Sequence, residues 1–144
     1  MSSYQREVVV NETPERLFDF VTEQKNLPLW SPQVVKSEVK GGGPVTKGSI
    51  LIQTRKQGNR TMTSEVDVIR HDRPINHTVT TRMMGVIATF TFAFEKHEGS
   101  TKVTMTGDVK GKGFGVLVAP LLKMAMEKGD DKVLENLKKV IETK

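Results

Sequence analysis

The feature that most constrains the fold of this 144-residue chain is a long run of alternating apolar and polar residues between Val34 and Val109. Twelve of the 15 threonines lie between Thr46 and Thr106, and threonine favours a pleated sheet. The alternation predicts six strands, at residues 34–39, 49–56, 60–70, 75–84, 86–96 and 101–109. The connections between most of them are short and of turn type, as at Gly58-Asn59, which predicts successive antiparallel hairpins.

The N-terminal part adds one strand and a short helical pair. Residues 4–10 are rich in β-branched side chains and predict a first strand. Thr13-Pro14-Glu15 is typical of a helix start, with a capping threonine, a proline at the first helical position and an acid in the first turn. The segments Asn26-Leu27-Pro28 and Trp30-Ser31-Pro32 then interrupt and end this helical region.

Alternation also predicts which strand residues share the apolar face of the sheet, because neighbouring side chains on a strand point to opposite sides. One sheet face is apolar and the other polar, so the apolar face needs a cover. The strand residues that we expect to face this cover and to line a ligand site are Met62, Ser64, Val66, His77, Val79, Thr81, Met83, Phe90, Phe92, Met105 and Gly107.

The predicted cover is a long C-terminal helix over residues 114–143, a stretch rich in helix-forming residues. Leu117, Leu121 and Met124 hold helical spacing, and we expect them to line the helix side of the same site. A second stripe around Leu134 is out of phase with the first, which makes Gly129 the natural place for a bend or break.

Composition limits the class of protein. The chain has no cysteine, which excludes disulfides and thiolate chemistry, and its length predicts one domain over residues 1–144. The longest uncharged stretch has 12 residues, too short for a membrane span. No export signal is visible, so we expect a cytoplasmic protein. The net charge of +5 is spread over the chain without interleaved aromatics, so no nucleic-acid partner is expected.

Candidate chemistry is sparse. His77 is the one histidine on the predicted inward face, and it is the leading candidate for acid–base catalysis, against the alternative of a structural histidine. Arg82 and Asp108 are weaker candidates because alternation turns them outward. The three histidines are too scattered for a metal site, and no cofactor is expected.

The glycines between Gly111 and Gly115 do not match a phosphate-binding loop. They predict either a hinge at the mouth of a cavity or a simple connector. Phe114, the large apolar residue among them, is then either a plug over the ligand site or an anchor for the helix start.

The order of elements resembles the helix-grip fold of the START-like or SRPBCC superfamily, and in particular its polyketide cyclase/dehydrase-type branch. The likeness rests on Thr13-Pro14-Glu15-x-Leu17-Phe18, on Asn26-Leu27-Pro28-x-Trp30-x-Pro32 and on Asp131-x-x-Leu134-x-Asn136-Leu137. The resemblance implies an α+β fold, with a seven-stranded curved antiparallel sheet, a short N-terminal helical pair and a long C-terminal helix. It also implies a cavity between sheet and helix, and a structure without a cavity of about 300 Å³ or more would count heavily against ligand binding.

Three functions follow as expectations. The first is binding or carriage of an apolar small molecule, such as a lipid, a polyketide or an aromatic compound. The second, implied by the resemblance alone, is cyclase or dehydratase activity on a polyketide-type substrate. The third is a protein-interaction module of the chaperone- or ribosome-associated kind. We expect a monomer or a weak homodimer.

Overall fold

A computed structural model of the chain describes residues 2–83, 85–113, 115–129 and 132–143. Seven strands form a single antiparallel sheet. Their bounds are β1 Ser2–Val10, β2 Val34–Val39, β3 Ile50–Gln57, β4 Arg60–Asp72, β5 Asn76–Met83, β6 Val86–His97 and β7 Ser100–Gly111. Within the described residues, no helix has the length and apolar character that crossing a membrane requires.

The strand order is β1-β7-β6-β5-β4-β3-β2, so every pair of neighbours from β2 to β7 is consecutive in sequence. The predicted hairpins are therefore present, and the predicted strand bounds agree with the observed ones to within about two residues. The β1 strand pairs with β7 and places the N-terminal segment at the opposite edge from β2. The α+β class and the seven-stranded antiparallel sheet are confirmed.

Two short helices connect β1 to β2. The first is α1, Pro14–Thr22, where the Arg16 N–H donates to the Thr13 hydroxyl as the predicted cap requires. A 3₁₀ turn at Gln24–Asn26 leads into α2, Leu27–Trp30. Leu17 and Phe18 from α1 are completely buried, and together with Trp30 they pack into the main core cluster.

The C-terminal cover consists of two helices, α3 at Gly115–Gly129 and α4 at Val133–Glu142. The expected break at Gly129 is present. The α4 helix buries Val133, Leu134 and Leu137 in the core cluster that also contains Trp30. It therefore closes one end of the sheet face together with α1 and α2.

Among the α3 side chains that the structure describes, the one buried against the sheet is that of Ala119. Ala119 packs with Val86, Ala88 and Val109. Leu117 and Leu121 are each two positions from Ala119, and because each residue turns a helix by about 100°, their side chains point almost directly away from that of Ala119. The predicted stripe is consequently directed outward, with exposures of 77% for Leu117, 69% for Leu121 and 67% for Met124. The expectation that these three line a cavity was wrong.

The start of α3 is held by close backbone packing. A Cβ added at Gly111 would overlap the backbone of Gly115, and one added at Gly115 would overlap Gly85 in the β5–β6 turn. These glycines therefore bring two chain segments into direct contact, which favours the predicted connector over the predicted hinge. Phe114, predicted as plug or anchor, lies outside the described residues.

Candidate functional site

An apolar cavity of about 180 Å³ lies between the covered face of the sheet and the helices. The N-terminal helical region forms one wall and strands β3 to β7 form the other, while α3 and α4 contribute one residue each. The lining residues are Val21, Gln24, Leu27, Trp30, Ser31, Gln33, Leu51, Gln53, Arg55, Ser64, Val66, His77, Val79, Thr81, Phe90, Phe92, Met105, Ala125 and Val133.

Strand alternation brings most of the predicted strand residues into this wall. The antiparallel register places Ser64 and Val66 on β4 beside Gln53 and Leu51 on β3. It also places His77 opposite Phe92. The predicted residues that line the cavity are Ser64, Val66, His77, Val79, Thr81, Phe90, Phe92 and Met105.

Two predicted strand residues lie elsewhere. Met62 shares its strand face with Ser64 but is 52% exposed, and it lies near the turn end of the β3–β4 hairpin. Gly107 is covered by the ring of Tyr4, its partner on β1, and an added Cβ there would lie 2.5 Å from Tyr4 Cζ. The side chain of Met83 lies outside the described part of the structure.

His77 is the most buried titratable group of the wall, with 4% exposure. Its Nδ1 atom lies 3.1 Å from Nδ1 of His71, a half-buried residue directly across the β4–β5 ladder. The rings of both histidines contact Phe18, with centroid distances of 5.1 Å to His71 and 6.3 Å to His77. Burial, reinforced by the nearby His71, lowers the pKa of His77 to about 4. His77 is therefore neutral at physiological pH.

Asp108 and Arg82, the weaker catalytic candidates, are not among the residues that line the cavity. Arg82 is exposed, as alternation predicted. Asp108 lies on β7 next to Gly107, and its Oδ1 atom is buried without a partner among the described residues. Neither residue contributes to the site.

Sequence reasoning missed the polar residues that β3 supplies. Gln53 and Arg55 both line the cavity, and the Arg55 guanidinium donates to Gln53 Oε1 at 3.4 Å. A signal for them was available, because the Gly58-Asn59 turn sets the register of β3 against β4. Counting back from that turn pairs Gln53 with Ser64 and therefore places both on the same face.

Sequence reasoning also missed the contribution of the N-terminal helical region. Trp30, which we expect from the sequence to be a packing residue at the sheet edge rather than a ligand platform, is 2% exposed and belongs to the cavity wall. Its ring stands perpendicular to that of Phe92 at a centroid distance of 5.8 Å. Its Nε1–H has no hydrogen-bond partner among the described residues. A four-residue helix has no periodicity from which such a direction follows.

At about 180 Å³, the cavity is smaller than the roughly 300 Å³ set above, which counts against a large apolar ligand. Trp30, Phe92 and Met105 are large side chains in its wall. A second depression of about 480 Å³ lies at the edge of the sheet, around Lys25 and Lys40. It is more open, and residues of both charges line it. The first cavity, which is less open and mainly apolar, is therefore the candidate site.

Comparison with known proteins agrees with this geometry. The family model described as "Polyketide cyclase / dehydrase and lipid transport" matches residues 1–142. The chain belongs to this family. The resemblance to the SRPBCC superfamily is thereby confirmed. Comparison with curated protein sequences gave no significant match.

Solved structures share the fold of this chain. The crystal structure of Ara h 8.0201 has a TM-score of 0.79 and 14% identity, with 99% of each chain covered. TTHA0849 from Thermus thermophilus has a TM-score of 0.74 and 15% identity, with 96% and 95% covered. The di-domain ARO/CYC BexL from the BE-7585A biosynthetic pathway has a TM-score of 0.79 and 15% identity. The alignment covers 99% of the present chain and 47% of the BexL chain. At these identities the likeness shows the helix-grip fold.

Proposed function

We propose that this member of the polyketide cyclase / dehydrase and lipid transport family binds a small apolar molecule in the cavity between sheet and helices. The observation that carries the proposal is a mainly apolar cavity whose wall contains Phe90, Phe92, Val79 and Met105. Buried apolar space that stays empty forfeits packing contacts, and a fitting ligand restores them.

The volume restricts the size of the ligand. An apolar cavity of about 150 Å³ in another protein binds benzene. The 180 Å³ cavity therefore accommodates a molecule with one aromatic ring or a short aliphatic chain. A lipid or a polyketide with several rings requires the walls to move apart.

The test is native mass spectrometry of protein purified without added ligand, followed by organic extraction and identification of any bound compound. The matched variants are Ser64→Phe, which fills the cavity, and Thr63→Phe, which adds the same ring to the opposite face of β4. We expect a bound small molecule in the parent and in Thr63→Phe but not in Ser64→Phe. Equal occupancy in both variants would contradict the proposal.

A second candidate function is acid–base catalysis on the bound molecule, favoured by the position of His77. A neutral imidazole in the cavity wall can accept a proton from a carbon next to a carbonyl at Nε2, because its Nδ1 contacts His71 at 3.1 Å.

The measurement for this second function is deuterium exchange of the methyl protons of acetophenone in heavy water. Acceleration by the parent that is lost in His77→Phe is the expected result. Equal exchange rates with both proteins, at concentrations where acetophenone is bound, would exclude it.

A further inference from the structure

The most exposed large apolar side chains in the described part of the chain lie together on one helix. Leu117, Leu121 and Met124 have the three highest exposures among these residues, and all three are on α3. Their spacing of four and three residues places them on one face of the helix, which we call the α3 stripe. Apolar side chains exposed singly are ordinary, but a contiguous group marks a surface that contacts something apolar.

The α3 stripe is separate from the candidate site. None of its three residues lines the apolar cavity or the depression at the sheet edge. The side chain of Ala119, two positions from each leucine, is the one buried against the sheet, so the leucines point away from the protein. Val116, in the first turn of the helix, is exposed as well. The stripe is therefore a protruding apolar row and not the wall of a cleft.

The surroundings of the first half of the stripe are basic. From residue 110 to residue 126 the sequence contains three lysines, Lys110, Lys112 and Lys123, and no acidic residue. Lys110 and Lys112 are exposed, and neither forms an ion pair with another described residue. Lys112 is held beside the start of α3, because its carbonyl oxygen accepts from the Gly115 N–H at 2.9 Å.

The acidic residues that follow leave this segment cationic. Glu127 is bound by Arg6 at 3.2 Å and by Lys123 at 3.4 Å. Asp130 and Asp131 lie outside the described residues, at the junction between α3 and α4. Between the last residues of β7 and the start of α4, five lysines are present with three acidic residues, which gives a net charge of +2.

From this arrangement we infer that the α3 stripe docks onto the surface of an anionic lipid bilayer. The apolar row enters the boundary between headgroups and acyl chains, and the lysines near its start remain at the level of the negative headgroups. The inference goes beyond the proposed binding function and does not depend on which molecule the cavity binds.

A second copy of the chain fits the stripe less well. The three side chains present roughly 400 Å² of surface, whereas a stable protein–protein interface buries about 800 Å² on each partner. A bilayer has no such requirement, because its contribution grows with each apolar side chain that enters it and with each cation near its surface.

Co-sedimentation with vesicles tests the docking on the whole chain. One set of vesicles contains phosphatidylcholine alone, and the other contains about 30% phosphatidylserine, which supplies the negative surface potential. We expect the parent to bind the anionic vesicles at low ionic strength and more weakly at about 0.15 M salt, where charges are screened beyond about 8 Å. Binding to phosphatidylcholine alone should be much weaker.

Matched variants separate the stripe from apolar exposure in general. Leu121→Gln should lower the affinity for anionic vesicles by about 5-fold, because one apolar side chain no longer enters the bilayer. Leu29→Gln is the control, since Leu29 is also an exposed leucine on a helix, but on α2. It should leave the affinity unchanged.

A second pair of variants separates the local charge from the net charge. Lys110→Gln with Lys112→Gln should lower the affinity by about 10-fold, since each lysine near the surface contributes to the attraction. Lys47→Gln with Lys56→Gln removes two exposed lysines elsewhere and produces the same net charge. This control should weaken binding by no more than about 2-fold.

Site-specific labelling shows which face meets the lipid. The chain has no cysteine, so Leu121→Cys and Leu29→Cys each carry a single attachment point for a polarity-sensitive fluorophore. Anionic vesicles should shift the emission of the label to the blue at position 121 and leave it unchanged at position 29. Both positions are exposed, so neither change disturbs the core.

Three results would overturn the inference. The first is no binding of the parent to anionic vesicles at low ionic strength. The second is binding that Leu121→Gln and Leu29→Gln weaken equally. The third is a parent dimer in analytical ultracentrifugation that Leu121→Gln dissociates, without vesicle binding, because the stripe would then be an interface between two copies. Toluene binding is measured separately, so each of these results leaves the proposed binding function intact.

Discussion

Acidification should destabilise this protein through His77, and the structure allows the size of the effect to be worked out. Burial lowers the pKa of His77 from 6.5 to about 4 in the folded state, while the unfolded chain exposes it at its ordinary value. The interval is roughly 2.5 pH units. At about 1.4 kcal/mol per unit, His77 accounts for a loss of about 3 kcal/mol in the free energy of unfolding.

The sign follows from which state takes up the proton. Above pH 6.5 the histidine is neutral in both states, and the stability that it confers as a neutral group is fully present. Between pH 6.5 and 4 the unfolded state binds a proton that the folded state excludes, so the free energy of unfolding falls. Below pH 4 both states are protonated and the loss is complete.

The assay is urea unfolding at intervals between about pH 7 and pH 4, on the parent, on His77→Phe and on His97→Asn. His97 is exposed at the end of β6 and serves as the control. Burial also lowers the pKa of His71, so the parent alone does not isolate His77. The stability of the parent relative to His77→Phe should fall by about 3 kcal/mol across this range, and relative to His97→Asn it should change far less. A pH dependence in His77→Phe equal to that of the parent would refute the reasoning.

Three further predictions concern stability, all measured by thermal or urea unfolding at about pH 7. Gly107→Ala should cost about 1–3 kcal/mol, because its methyl group would press on the buried ring of Tyr4; no loss would contradict the observed packing. Leu121→Ala on α3 should cost less than about 0.5 kcal/mol, because Leu121 is exposed. Leu137→Ala on α4 should cost about 2–5 kcal/mol, because Leu137 is buried. A cost for Leu121→Ala as large as that for Leu137→Ala would contradict the outward direction of Leu121. Asp19→Asn should cost no more than about 1 kcal/mol, because its ion pair with the β4–β5 turn is solvent-exposed, and a larger loss would contradict that surface character.

The strands were predictable because a period of two leaves little freedom. Once Val66 is assigned to the covered face, Ser64 on the same strand must share it. Counting round the β4–β5 turn does not extend the assignment to His77, because the register shifts by one residue between Val68 and Arg70. His77 was assigned from its alternation with Val79 on β5, and Phe92 lies opposite it on β6. The same logic would have reached Gln53 through its hairpin partner. Alternation predicts the face to which a strand residue points, but it does not predict which side chain of the next strand will lie over it. For this reason Gly107 was expected in the cavity wall, whereas it lies beneath the ring of Tyr4.

The helices were less predictable because periodicity does not say which stripe faces the sheet. In α3 the large residues around Leu121 suggested the buried side. Backbone approach decided the orientation, since Gly115 and Ala119 allow the helix to lie close to Gly85 and Gly111. The place of Trp30 in the cavity wall was not predictable for a different reason. Its place in the wall depends on its contact with Phe92, which is distant in sequence, and no local pattern contains such a contact.

The central claim is that the space between sheet and helices is a binding site for a small apolar molecule. Calorimetric titration with toluene tests it most directly, on the parent, on Ser64→Phe and on Thr63→Phe. Saturable binding of one toluene per chain to the parent and to Thr63→Phe, abolished in folded Ser64→Phe, is the predicted result. An absence of binding to the parent, or equal binding to both variants, would contradict the account.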